Sequence, residues 1–266
     1  MTEMKIQDNY AEKFIHVFSN MKGYTDTITL FFRENGLYSQ GMDSAHISMY
    51  ELYFNKDWFE NYPDDLNIEM SLNTNIFQHV LSVYNTDYSI VLDVSKSNVI
   101  GICFIPKTTT ISAKQFHIQL LSIDSETLEI PEQEYNVIAN MDTKRMKSEI
   151  DELQLFGENM KFNCDENHIK LCVRNDVCSS ETIISKESMN HYKVDESIHV
   201  QFQMKMLHTF MKFHKLSDNV TLFIGENIPM IIKYPQDDNH SFVRFFLAPK
   251  IIDESDDDND DDSEEY

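Results

Sequence analysis

The sequence has few of the residues on which common enzyme motifs depend. It contains six glycines and four cysteines among 266 residues, and no two cysteines form a CxxC pair. A phosphate-binding glycine loop, a GxSxG elbow and an HExxH motif are all absent. No cluster of Cys and His has the spacing of a zinc site, and four reduced thiols are expected. The sequence therefore predicts no enzyme activity, no metal and no cofactor.

Long apolar runs are also missing. No stretch approaches the roughly 18 consecutive apolar residues of a membrane-spanning helix, so no membrane partner is expected. The chain is nevertheless 41% hydrophobic and 12% aromatic, which is enough to build a substantial core. A length of 266 residues allows one large domain or two of ordinary size.

The charge is strongly of one sign, with 45 Asp and Glu against 22 Lys and Arg. Ten of the acidic residues fall in the last 14, "DESDDDNDDDSEEY" (253–266). This segment cannot bury apolar area and is predicted to be a disordered, solvated tail. A tail of this kind suits an acidic chaperone of histones or other basic proteins, which is one functional hypothesis.

Helical and strand periodicities alternate in both halves of the chain. Apolar residues recur at helical spacing in segments 11–21, 74–84, 143–156 and 202–215, with Thr74 and Thr143 as predicted N-caps. Alternating, β-rich runs predict strands at 25–32, 87–94, 98–105, 219–225, 229–234 and 241–248. This succession predicts an α+β fold in which helices pack on antiparallel sheets.

Two short segments, "GMDSAHISMY" (41–50) and "NCDENHIKLC" (163–172), resemble each other. Aligning them pairs His46 with His168 and predicts two copies of a domain of roughly 120 residues. Two histidines in equivalent places indicate a repeated structural corner instead of a catalytic pair.

The first of these segments also alternates in polarity. Its residues Ile47, Met49 and Tyr53 are predicted to form the apolar face of a half-buried strand.

Three further segments carry a resemblance to a known family. They are "GLYSQGMDSAHISMYELYF" (36–54), "LEIPEQEY" (128–135) and "FFLAPKI" (245–251). In order and spacing they are similar to the DNA sliding clamps of the proliferating cell nuclear antigen (PCNA) family, over nearly all of 1–252. The resemblance implies two topologically similar clamp domains per chain and a pseudo-sixfold homotrimeric ring around duplex DNA. The implied divisions are domains at 1–119 and 136–252, a connecting linker at 120–135 and the tail at 253–266.

The resemblance also implies a function and a set of partners. A processivity factor for DNA replication and repair holds duplex DNA without reading its sequence, and it recruits DNA polymerase and other proteins that carry clamp-binding peptides. A clamp loader is a further implied partner. The implied location is the nucleus, or a cytoplasmic viral replication site if the chain is viral.

Sliding requires attraction to phosphates without base readout. Lys205, His208, Lys212 and Lys215 fall within about 80° of one continuous helix, where the family has basic residues facing DNA. An ordinary solvated face is the alternative for such lysines. Segment 74–84 has no Lys or Arg, so weaker DNA contact than usual is expected. The predicted DNA-binding residues are Lys13, Lys144, Arg145, Lys147, Lys205, His208, Lys212 and Lys215.

The family binds partner peptides in a pocket beneath the linker and closes its ring by pairing edge strands. Carried over from the resemblance, the pocket residues are Met42, His46, Ile47, Leu128, Ile130, Pro131, Pro229, Ile231, Leu247, Ala248 and Pro249. The corresponding subunit-interface residues are Ile111, Ala113, Gln115, Ile183 and Ile184.

Overall fold

The structure is a computed structural model that describes residues 2–123, 127–236, 238 and 240–250. Each half of the chain contains the same succession of strands and helices. The first half has β1 (Glu3–Ile6), α1 (Asp8–Met21), β2 (Thr27–Arg33), β3 (Gly36–Met42), β4 (Ser48–Asn55), β5 (Phe59–Glu60), β6 (Ile68–Asn73), α2 (Thr74–Leu81), β7 (Tyr88–Asp93), β8 (Val99–Pro106) and β9 (Lys114–Gln119). The second has β10 (Val137–Asp142), α3 (Thr143–Leu153), β11 (Asn159–Cys164), β12 (His168–Arg174), β13 (Ser179–Ser185), β14 (His191–Val194), β15 (Ile198–Gln203), α4 (Met204–Met211), β16 (Asn219–Ile224), β17 (Met230–Pro235) and β18 (Phe242–Leu247). The predicted tail, 253–266, lies outside the described residues.

The strands form three antiparallel sheets whose order repeats. A five-stranded sheet has the order β5-β1-β7-β8-β9, and a four-stranded sheet has the order β13-β12-β11-β15. Between them lies a nine-stranded sheet, β14-β10-β16-β17-β18-β4-β3-β2-β6. Its first five strands repeat the five-stranded sheet and its last four repeat the four-stranded one. The two halves of the chain therefore join inside one sheet, where β18 pairs with β4. This confirms the predicted α+β fold with two similar domains.

The motif that predicted the duplication compares two different hairpins. The segment at 41–50 covers the turn between β3 and β4, whereas the segment at 163–172 covers the turn between β11 and β12. In the order of elements, β11 and β12 correspond to β2 and β3. The chain thus repeats with a period of about 130 residues, not about 120, and His46 is not the counterpart of His168.

The similarity of the two segments comes from their turns. An aspartate begins each turn and accepts backbone hydrogen bonds within it: Asp43 from Ile47 N at 3.0 Å, and Asp165 from His168 N at 2.9 Å. Asp is favoured wherever its carboxylate can bond the backbone a few residues on. The same turn chemistry therefore arose in hairpins that are not equivalent.

The helices bury the faces that their sequences predict, and they also hold the two halves together. Phe14, Val17, Phe18 and Met21 of α1 are all buried. At the junction, Phe210 of α4 stacks on Phe245 of β18 with ring centroids 4.6 Å apart. Tyr24 and Tyr50 from the first half extend this aromatic cluster, because Tyr24 lies 5.5 Å from Tyr50 and 6.0 Å from Phe245. The two halves share a continuous core.

The predicted apolar face of the strand around Tyr53 is not the face that packs in the core. In β4 the buried side chains include Tyr50, Leu52 and Phe54, whereas Met49 and Tyr53 are half-buried on the other side. Ile47 precedes the strand. Both sets are apolar because this strand lies in the middle of a sheet, so polarity alone could not distinguish the faces.

The predicted helix starts were also displaced by one residue. The caps are Asn73, which accepts from Ile76 N, and Asp142, which accepts from Arg145 N. Thr74 and Thr143 are the first helical residues and are buried, and the Thr74 hydroxyl donates to the Thr25 carbonyl instead.

The last predicted helix is shorter than its pattern suggested. Residues 202–203 belong to β15, α4 ends at Met211, and His214–Leu216 form a separate 3-10 turn. Lys212 and Lys215 therefore do not continue one regular stripe from Lys205. None of the helices that the structure describes has both the length and the apolar character needed to cross a membrane.

Candidate functional site

One face of the nine-stranded sheet carries a continuous line of apolar side chains across six strands. Phe245 points to α4, so its neighbour Phe246 points to the opposite side of the sheet. Direct cross-strand pairs connect Phe246 to Ile231 on one side and to Met49 on the other. We call the whole line the apolar row: Ile138, Phe223, Ile231, Phe246, Met49 and Met42, each paired with the next.

The connecting segment between β9 and β10 runs over this row and encloses a cavity of about 750 Å³. Ile130 and Pro131 line the cavity from the segment, and Ile231 lines it from the sheet. Tyr135 packs against Phe223 with ring centroids 5.7 Å apart. The arrangement forms a groove under a strap of chain, and charged side chains line it beside the apolar ones.

A hydrogen bond holds the strap at its other side. The side-chain amide of Gln40 donates to the Leu128 carbonyl at 3.3 Å. Leu128 itself is 48% exposed, so its side chain is available at the surface.

The structure brings together many of the residues predicted for the pocket. Met42 and Ile231 belong to the apolar row, and the Ala248 N–H donates to the Ile47 carbonyl at 3.0 Å, which joins the end of β18 to the turn before β4. His46 is exposed in that turn in the left-handed region, at φ 57°. Pro229 and Pro249 are half-buried beside the ends of β17 and β18.

Leu247 is an exception, because its side chain is only 1% exposed and lies in the core. Alternation along β18 turns Leu247 towards the interior and Phe246 towards the face that carries the apolar row. Sequence reasoning missed Phe246, together with Ile138, Phe223 and Tyr135. The alternation of apolar residues in 241–248 could have indicated that Phe246 faces away from Phe245 and Leu247. The other three depend on which strands pair and in which register, and the sequence around each residue does not determine this.

A polar row runs beside the apolar row on the same face. It consists of Thr221, Lys233, Arg244, Glu51 and Gln40, again each paired with the next. Arg244 and Glu51 form a close ion pair across the junction of the two halves. The Tyr38 hydroxyl donates to Glu51 at 3.0 Å. Burial, and then the neighbouring Arg244, lower the pKa of Lys233, and Glu51 offsets only part of this.

The helices lie on the other side of this sheet and present the predicted DNA-binding residues. Lys144, Lys205, Lys212 and Lys215 are exposed. Within the described chain, none of these four lies at ion-pair distance from a carboxylate. Their charges are therefore available to an external anion.

The remaining predicted cations on the helices are partly neutralised. Lys147 pairs with Asp151, and His208 Nε2 lies 3.5 Å from the same carboxylate. Arg145 lies 3.9 Å from Glu149. Lys13 on α1 is half-buried. The helix layer thus carries scattered positive charge and not a dense basic surface.

Two edge strands contain the residues predicted for subunit contacts. Among the described strands, β9 ends the five-stranded sheet and β13 ends the four-stranded sheet. Gln115 lies on β9, and Ile111 and Ala113 lie in the approach to it. Ile183 on β13 is 59% exposed, but Ile184 is 0% exposed and packs in the core. Ile184 therefore offers only its backbone at this edge.

The residues that the structure describes include no group of three or more His, Cys, Asp or Glu that could hold a metal ion. The four cysteines, Cys103, Cys164, Cys172 and Cys178, are free thiols.

Comparisons with known proteins agree with this architecture. Curated relatives include proliferating cell nuclear antigen 2 of Drosophila melanogaster, 26% identical over 228 residues, which are 85% of this chain and 89% of the relative. The proliferating cell nuclear antigen of Caenorhabditis elegans is 27% identical over 231 residues, covering 83% of this chain and 87% of the relative.

A solved structure shows the same fold. The crystal structure of the proliferating cellular nuclear antigen from Entamoeba histolytica matches with a TM-score of 0.85 and 22% identity, over 94% of this chain and 98% of that chain. Family models match both halves, the N-terminal domain of proliferating cell nuclear antigen at residues 1–127 and its C-terminal domain at 129–251. The chain therefore belongs to the proliferating cell nuclear antigen family, and its role is that of a DNA sliding clamp.

Proposed function

We propose that three copies of the chain close into a ring around duplex DNA and act as a processivity clamp without catalytic activity. The observation that carries this proposal is the repeat within the sheets. Strands β18 and β4 pair inside the chain, while their counterparts β9 and β13 are edge strands of the described sheets. Exposed edges readily pair with another chain, and head-to-tail pairing of unlike edges generates closed rings.

The repeat also supplies a register for the joint between subunits. Inside the chain, Phe242 pairs with Tyr53 and Arg244 pairs with Glu51. If the same register applied to the joint between subunits, Ala113 would lie opposite Ile183 and Gln115 opposite Glu181. Where Arg244 and Glu51 form an ion pair inside the chain, the contact between subunits would then pair the neutral Gln115 with the charged Glu181.

We infer that the helix layer lines the hole of this ring. Lys144, Lys205, Lys212 and Lys215 would attract the phosphate backbone without reading bases. Because other cations of the layer are paired with Asp151 and Glu149, attraction would be weak and sensitive to salt. Encirclement, and not tight binding, would keep the protein on DNA.

We also infer that DNA polymerase and other partners dock on the opposite face through short peptides. An apolar or aromatic plug would enter the groove between the strap and the apolar row, as anchor residues do in other helix and peptide interfaces. A clamp loader would place the ring on DNA. The site of action would be the nucleus, or a cytoplasmic replication site if the chain is viral.

Two measurements test the ring. Light scattering should give a mass near three times the chain mass of 31.3 kDa. Protein loaded on nicked circular DNA should resist dissociation in high salt and should be released when the circle is cut. A monomeric mass at every concentration, together with equal release from circular and linear DNA, would refute encirclement.

A further inference from the structure

The segment 204–216, which comprises α4 and the 3-10 turn after it, carries the most unbalanced charge of the helix layer. It contains the exposed Lys205, Lys212 and Lys215 and no Asp or Glu. In α3, by comparison, three cations are balanced by three carboxylates. Asp218 is the nearest acidic residue along the chain, so an excess of two positive charges remains when it is counted.

The carboxylate that approaches this segment from α3 already has a partner. Asp151 lies 3.5 Å from His208 Nε2, but it forms a close ion pair with Lys147. In the part of the chain that the structure describes, no carboxylate lies at ion-pair distance from Lys205, Lys212 or Lys215. An acidic ligand would therefore meet three lysines that no other group neutralises.

The C-terminal end of the described chain lies close to these lysines. After β18, the backbone amide of Lys250 donates to the Gln201 carbonyl on β15 at 2.8 Å. Strand β15 leads directly into α4, so Gln201 and Lys205 are four residues apart. Four residues span at most about 14 Å, which places Lys250 within about 20 Å of Lys205.

The sequence that follows is long enough to reach all three lysines. Residues 251–266 include the ten Asp and Glu residues of the tail. Sixteen residues can extend to about 55 Å, whereas Lys205 and Lys212 are about 10 Å apart along the helix axis. Because the tail is tethered beside α4, the effective concentration of its carboxylates at the lysines is on the order of millimolar.

The groove under the strap offers the tail no comparable place. Three cations and three carboxylates line it, and Glu51 beside Arg244 adds a fourth carboxylate. The groove therefore has no excess of positive charge, so an acidic segment gains more from the lysines of 204–216.

We propose that the tail, 253–266, binds Lys205, Lys212 and Lys215 through its carboxylates and so competes with the phosphates of DNA for them. The competition, though not the contact, rests on the proposed role of the helix layer in DNA binding. Duplex DNA carries a denser line of negative charge than the tail does and would displace it. Salt should also release the tail, because screening weakens exposed ion pairs.

Carbodiimide cross-linking of the full chain tests the contact without DNA. The reagent joins a carboxylate to an amine that touches it, and peptide mass spectrometry identifies the pair. Cross-links from the tail should form with Lys205, Lys212 or Lys215 at low salt and disappear at about 1 M salt. Lys96 and Lys186, which are exposed lysines elsewhere in the chain, are internal controls. Equal cross-linking to both sets of lysines, or none to the first set, would overturn the contact.

A cycle of variants tests the competition. In a neutral-tail variant, the ten Asp and Glu residues of 253–266 become Asn and Gln. Anisotropy with a fluorescein-labelled linear duplex gives Kd for the normal and neutral tails, each in wild type and in Lys205→Gln with Lys212→Gln. The matched control background is Lys96→Gln with Lys186→Gln.

If the inference holds, the neutral tail tightens DNA binding about tenfold in the wild-type and control backgrounds. In Lys205→Gln with Lys212→Gln the gain should fall to about twofold or less, because the tail has lost most of its site. A gain of equal size in every background would indicate repulsion at a distance and would overturn the competition. Absence of DNA binding by every protein would overturn the competition together with the proposed DNA contact, and the cross-links would still decide whether the tail binds the lysines.

Discussion

His16 of α1 meets His214 of the second half edge to face, with ring centroids 6.1 Å apart. Burial first, then His214 and Lys215, lower the pKa of His16 to about 4. Both of these neighbours are basic side chains, and the nearby Lys212 backbone offsets only part of the shift. The junction of the two halves therefore disfavours a proton on His16.

This contact predicts a loss of stability on mild acidification. The unfolded chain takes up a proton at His16 near pH 6.5, whereas the folded chain does so only near pH 4. Between these values the unfolded chain binds more protons, so the free energy of unfolding should fall as the pH falls. After allowance for solvent screening, we expect about 1–2 kcal/mol from this group.

Urea unfolding at several pH values measures the effect. His16→Gln cannot titrate and should lose less stability between pH 6.5 and pH 4 than wild type does. His79→Gln, at an exposed position of α2, is the control and should behave like wild type. Parallel curves for wild type and His16→Gln would contradict the prediction.

Reversing two charges of the helix layer should impair retention on DNA. Lys205→Glu with Lys212→Glu removes two phosphate contacts, so the slope of log K against log salt should become shallower by about 1.8. Binding to linear duplex DNA at several salt concentrations measures that slope. The pair Lys96→Glu and Lys250→Glu makes the same charge change at exposed positions that belong to no helix. Equal slopes for the two double variants would show that the helix-layer lysines do not face DNA.

A charge on the edge of β13 should prevent assembly without unfolding the subunit. Ile183 is 59% exposed, so Ile183→Lys should change the stability of the isolated subunit by about 0.5 kcal/mol or less. Pairing with β9 of the next chain would bury the new ammonium group, so we expect the mass from light scattering to fall to that of a monomer.

Val177→Lys is the matched control for this experiment. Val177 is 92% exposed in the turn before β13, and its replacement should leave the assembly unchanged. An Ile183→Lys variant with the same mass as wild type would exclude this edge from the joint.

Two neighbouring residues of β18 should separate peptide binding from stability. Phe246→Ala removes an anchor of the groove and should weaken a peptide by about 1–3 kcal/mol. Leu247→Ala leaves a cavity in the core and should lower the free energy of unfolding by about 2–5 kcal/mol. Calorimetric titration and urea unfolding of both variants measure the two effects. A larger loss of peptide affinity in Leu247→Ala than in Phe246→Ala would refute the assignment of faces.

The features that the sequence predicted well depend on local patterns. The face of α1 followed from the spacing of Phe14, Val17, Phe18 and Met21, because one helix determines which of its residues share a side. The repeat period was wrong because Asp43 and Asp165 perform the same turn chemistry in different hairpins. The prediction of which face of β4 packs in the core was wrong because both of its sides are apolar.

The groove was only partly predictable for a similar reason. Ile130 and Pro131 followed from the resemblance to the family, since they lie in one short segment. The apolar row depends on five strand pairings, of which two, β10 with β16 and β18 with β4, join distant segments. Only these two pairings bring Ile138 and Met49 into line with Phe223, Ile231 and Phe246.

The β18–β4 pairing has a mechanical consequence. The two halves of a chain share six consecutive residue pairs in one sheet, from Phe242–Tyr53 to Leu247–Ser48. The aromatic cluster around Phe245 packs against the helix side of this pairing and contains residues of both halves. Each chain would therefore behave as a stiff arc with no hinge at its midpoint. A closed ring of such arcs would have to part between chains to admit DNA, so any machinery that opens it would act at one of the three joints between chains and leave the three joints inside chains intact.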